Sequence, residues 1–262
     1  MIIKFHRSEL SKQSNSYTKV VIVIFCVLVS SCLACQLQKT GSSSNKEDTG
    51  SKAKPQQNTL TAQEVLNKTT DAMQAIKTMS MVMKVTSGGG GVSVEINGEG
   101  VIEMPDRAYI KMDLAGQSIE ILTLSKTETY VKQPGSTKWE PGSADQLGLI
   151  GNMNVDVIQQ LGITGFANDI KLAGDENVEG VNCYHITFSL DMTKYLAQLG
   201  DAGSQLDAAT AKGSGELWVG TDDFLTRKFL FNLEASSQGV TINVSTLLTL
   251  NKFNEPVEIP SP

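Results

Sequence analysis

Cysteine and histidine are nearly absent from the bulk of this chain. Of four cysteines, Cys26, Cys32 and Cys35 crowd the first 35 residues and only Cys183 lies beyond them; of two histidines, only His185 does. No disulfide can form within the body, and zinc or redox sites built from paired cysteines lack their parts. Neither a Gly-x-Ser-x-Gly elbow nor a His-Glu-x-x-His segment occurs, which removes two common hydrolase constellations. An enzyme is therefore not expected, and neither is a cofactor or a metal ion. Cys183 reads as a buried thiol, and His185 as a hydrogen-bonded strand residue.

Long apolar runs are missing too. The longest, Val20–Val29, is half of the about twenty residues that a membrane-crossing helix needs. Lys4, Arg7, Lys12 and Lys19 precede it and Val29-Ser30-Ser31-Cys32 closes it, the layout of a lipoprotein export signal. A short transmembrane anchor from Lys19 to Leu37 would have to carry Ser30, Ser31 and Gln36 in its span. We expect residues 1–31 to be removed and Cys32 to become a diacylated N-terminus, with Cys35, behind Ala34, as second choice. The expected location is the extracytoplasmic side of the cell membrane, at the cell surface or in the periplasm.

Positive charge is scarce as well. Residues 1–31 hold four basic side chains and one acidic, so removing them takes the formal charge from −6 to −9. Nucleic acid, whose phosphates demand Lys and Arg, is not an expected partner. Residues 32–59 are poor in apolar residues and read as a lipidated N-terminus and tether, the stretch 36–59 spanning roughly 27 Å as a flexible coil.

From residue 60 the pattern is that of one folded domain. Thr61 and Glu64 form a capping-box pair, and Ala62, Val65, Leu66, Thr69, Ala72, Met73, Ile76 and Met79 recur at helical spacing. Period two then takes over through Val92–Met104, Ala108–Leu114, Ile119–Ile121 and around Tyr130, and returns at Tyr184–Leu190, Leu217–Val219, Phe229–Leu233 and Val240–Leu250. Residues 143–173 lack alternation and read as short helices and an apolar loop. A helical pair is expected at Asp191–Leu199 and Ser204–Ala211, with Ser204 and Asp207 as caps. The expected fold is α+β: one large antiparallel sheet of nine to eleven strands whose apolar face the helices cover.

Other motifs are weaker. Gly88–Gly91 lacks the Lys-Ser/Thr of a phosphate loop and reads as a hairpin tip. Asp175-Glu176 and Asp222-Asp223 lack calcium-loop spacing and read as turn residues. Trp139 and Trp218 read as packing residues. Alternation places Val94, Ile96, Ile110, Met112, Ile186, Phe188, Phe229, Phe231, Ile242 and Val244 on one apolar face. That face either lines a cavity or is a packed core, and Met79, Met81, Met83, Met104 and Met112 suit both.

Four stretches resemble the LolA-like superfamily, within it lipoproteins of the LppX/LprG type. They are Pro105-Asp106-Arg107-Ala108-Tyr109-Ile110-Lys111-Met112, Tyr130-Val131-Lys132 with Lys138-Trp139-Glu140, the turn and strand from Glu179 to Ile186, and the hairpin from Gly215 to Lys228. The likeness runs over residues 60–252, and the insert 191–213 and the segment 143–173 depart from LolA itself. The resemblance implies a half-barrel whose concave face holds acyl chains. The function expected on that basis is an anchored, monomeric lipoprotein that binds or carries a lipid or acylated molecule. The alternative is an envelope sensor or protein-interaction module with a filled core.

Overall fold

Tight turns between alternating segments dictate an antiparallel meander, and that is what forms. The computed structural model describes residues 60–142, 166–198, 206, 208–237 and 240–262. The expected export signal and tether, Cys32, Cys35, residues 143–165 and the expected caps Ser204 and Asp207 lie outside the described residues. Eleven strands are described: β1 (Thr78–Gly89), β2 (Val92–Glu103), β3 (Arg107–Leu114), β4 (Gln117–Ser125), β5 (Glu128–Lys132), β6 (Glu140–Gly142), β7 (Ala167–Val178), β8 (Val181–Leu190), β9 (Lys212–Gly220), β10 (Thr226–Ser237) and β11 (Val240–Asn251). Two helices accompany them, α1 (Ala62–Gln74) and α2 (Met192–Gln198).

All eleven strands belong to one open, curved antiparallel sheet in the order β6-β5-β4-β3-β2-β1-β11-β10-β9-β8-β7. Each strand pairs with its sequence neighbour except at the centre, where β1 pairs with β11. The turn between β1 and β2 falls on Gly90 and Gly91, with φ of 60° and 83°. Two consecutive positive φ values are what a two-residue hairpin turn of matching twist requires, and glycine adopts them without strain.

Helix α1 starts where the capping box places it: the Thr61 hydroxyl accepts from the Glu64 backbone N–H, and the Glu64 carboxylate accepts from that of Thr61 at 2.7 Å. Its buried residues are Val65, Leu66, Thr69 and Met73. Three expectations need correction. Met79 belongs to β1, where Met79, Met81, Met83 and Val85 alternate inward, rather than to the helix. Residues 167–173 form part of β7, an edge strand exposed along most of its length, which erases the alternation that would reveal it. Residues 208–210 form a turn, not the end of a helix.

The core lies on one face of the sheet. A large cluster joins Met73 of α1 and Met192, Tyr195 and Leu196 of α2 to inward residues of β1–β4, β8, β10 and β11; a second packs Val65 and Leu66 of α1 on Ile186 of β8 and Leu217 and Val219 of β9. Both clusters and every described strand and helix fall within residues 60–253, so this body carries its own core.

Candidate ligand-binding face

Strand register decides which side chains share a face. Met112, Gly98, Met83, Leu248, Phe229, Leu217 and Ile186 are successive cross-strand partners, one row over seven strands. The next row runs Leu114, Ile96, Val85, Thr246, Phe231, Gly215 and Phe188, and the one after it Val94, Ser87, Val244, Leu233 and Gly213. Ile110 falls in the row with Gly100 and Met81, and Ile242 pairs with Gly89. All ten residues selected from alternation therefore stand on the same face, the one the helices cover.

They are not equally covered. Ile110, Met112, Ile186, Phe188, Ile242 and Val244 are buried, whereas Val94, Ile96, Phe229 and Phe231 are only half-buried. The incomplete cover has two locations. Phe229 and Phe231 stand near the middle of the sheet, on β10. Val94 and Ile96 belong with half-buried Leu114 and Ile119 to the corner at the β1–β2 and β3–β4 turns, where Val92 is 40% exposed.

Aromatic rings pack around Phe229 and Phe231. Phe188 and Phe229 stack with centroids 6.5 Å apart, and Tyr195 of α2 lies 5.5 Å from Phe231 and 5.7 Å from Phe166. Glycines let the floor side chains lie flat. A Cβ on Gly213 would stand 2.6 Å from Leu190, and one on Gly98 would stand 3.3 Å from both Met83 and Met112. Sequence reading missed these glycines and Tyr195; the inward parity of Gly98, Gly100, Gly213 and Gly215 was the available signal.

The opposite face carries paired polar groups. His185 Nε2 hydrogen-bonds Glu216 Oε2 at 2.7 Å, its ring stacks on Trp218 at 4.4 Å, and the Trp218 indole N–H donates to Glu176 Oε2 at 2.7 Å. Lys228 Nζ sits 4.0 Å from the Trp218 ring centroid. Trp139 packs edge-on to Tyr109 with Lys132 Nζ 4.5 Å from its ring. Asp223 caps its turn by accepting from the Leu225 N–H and pairs with Arg227. Cys183 is fully buried, and burial pushes its thiol pKa up. Among the described residues no group of three or more His, Cys, Asp or Glu is placed to hold a metal ion, and no helix is long and apolar enough to cross a membrane.

No known family and no curated protein matches the chain. Solved structures do. The lipoprotein LppX of Mycobacterium tuberculosis matches at 17% identity over 76% of this chain and 98% of that one, with a TM-score of 0.48. LprF of Mycobacterium bovis matches at 15% identity over 77% of this chain and 96% of that one, TM-score 0.42. A LolA superfamily protein of Nitrosomonas europaea matches at 13% over 76% and 96%, TM-score 0.31. Each of these is a similarity to a solved structure at under 20% identity.

Proposed function

We propose that this protein is an extracytoplasmic lipoprotein, anchored through acylated Cys32, that binds or carries a lipid or acylated molecule on the concave face of its sheet. The observation that carries the reading is the incomplete cover of Phe229 and Phe231 on β10, among neighbours such as Leu217 and Leu248 that are buried. A core filled by its own side chains, the competing sensor or interaction module, would cover these rings. Alkyl chains laid over them would gain about 0.8 kcal/mol per buried methylene. No covalent step is involved.

The anchor sets the range of action. A domain held by residues 32–59 works within reach of one bilayer, which suits local extraction, holding or handover of a lipid. Metabolic labelling with palmitate should mark the native protein, and Cys32→Ser should abolish the label while Cys35→Ser keeps it. For the binding face, residues 36–262 should take up the apolar fluorophore N-phenyl-1-naphthylamine with a blue-shifted emission. Absence of uptake would favour the filled-core module.

A further inference from the structure

We propose that Ser87 sets the chemical class and orientation of the bound molecule: its hydroxyl donates to the carbonyl oxygen of an acyl ester, whose alkyl chain runs inward along the floor. The inference rests on the reading that the concave face binds an apolar ligand. Ser87 is 4% exposed and its Oγ is buried without a hydrogen-bond partner. Its place in β1 puts it on the concave face, between Val94 of β2 and Val244 of β11 in its row. A buried hydroxyl with nothing to bond is unfavourable, and neither flanking valine can satisfy it. A ligand oxygen can.

The surroundings supply the direction. On one side of Ser87, Val244 is 3% exposed; on the other, Val94 is half-buried at the uncovered corner. Ser87 thus stands at the border between the open corner and the covered floor. One row deeper stands half-buried Thr246, between Val85 and Phe231; two rows deeper, Met83, Leu248, Phe229 and Leu217 offer no polar group. A molecule with its ester at Ser87 and its chain over this row keeps its polar end nearest solvent, as an amphiphile entering an apolar pocket must. A plain hydrocarbon would leave the hydroxyl unpaired.

The test displaces N-phenyl-1-naphthylamine from residues 36–262 with dodecane and, separately, with methyl laurate. The native protein should prefer methyl laurate. In Ser87→Ala that preference should fall by about five- to tenfold, the worth of one hydrogen bond, with dodecane binding retained; Ser87→Thr, which keeps the hydroxyl, should keep the preference. An unchanged preference in Ser87→Ala overturns the role of Ser87 and leaves the carrier reading standing. Displacement by neither molecule overturns the carrier reading itself, and this inference with it.

Discussion

Gly215 lies directly beneath the ring of Phe188: a Cβ built on the glycine would stand 2.0 Å from Phe188 Cζ. The ring can lie flat on the floor only because that position carries no side chain. Gly215→Ala should therefore lower unfolding stability by about 2–3 kcal/mol through overpacking. Gly88→Ala, where a Cβ meets only Val92 O at 3.7 Å, should change it by less than about 0.5 kcal/mol. Urea unfolding of the two variants checks the contrast.

Tyr109 and Glu120 make a pH-sensitive pair on the opposite face, with the phenol donating to Glu120 Oε2 at 2.9 Å. Burial first, then this hydrogen bond, pushes the Tyr109 pKa from its ordinary 10.0 up to about 12. The folded protein therefore holds this proton more tightly than the unfolded chain does. The stability it contributes is complete below pH 10 and is lost as pH rises toward 12. Tyr109→Phe should flatten the alkaline limb of the stability profile, and phenolate difference absorbance should lose a late-titrating component in that variant. Glu120 has the opposite sign. Its hydrogen bond from Lys132 holds its carboxyl below the usual range, so its contribution is lost as pH falls through that lowered value, and Glu120→Gln should flatten the acid limb.

Trp218 is 4% exposed and its indole N–H depends on Glu176, on edge strand β7. Glu176→Ala leaves that donor buried and unpaired, which should cost about 1–2 kcal/mol. The loss should be local: amide hydrogen exchange should quicken along β7 and change little in β1 and β11.

Thr61 anchors the start of α1, whose Val65 and Leu66 pack on Ile186, Leu217 and Val219. Thr61→Ala removes the hydroxyl half of the capping box and should cost about 1 kcal/mol. Thermal unfolding reads it directly.

Most of the sheet was legible because one face is wet and the other dry. β2, β3 and β8–β11 announce themselves through alternation, and the Thr61–Glu64 pair marks the helix start. β7 was illegible for a physical reason: an edge strand interrupted by register shifts between Asn168 and Lys171 and between Leu172 and Gly174 buries too little to write a period. Met79 sat at helical spacing by coincidence, and β1 claimed it. The shared face of the ten apolar residues followed from parity alone. Which of them stay partly uncovered did not, because cover depends on where α1 and α2 come to rest over distant strands. Ser87 was invisible for the same reason, since a strand serine reads as solvated until its neighbours are placed.

The central claim is that the concave face holds an acyl ligand, and native mass spectrometry of residues 36–262 expressed in a lipid-containing host tests it most directly. This chain has no Cys32 or Cys35, so any acyl mass it carries is bound and not covalent. We expect a population heavier than the polypeptide by the mass of a lipid, released on unfolding and recoverable by organic extraction. A single mass equal to the bare polypeptide, with no lipid in the extract, would contradict the account.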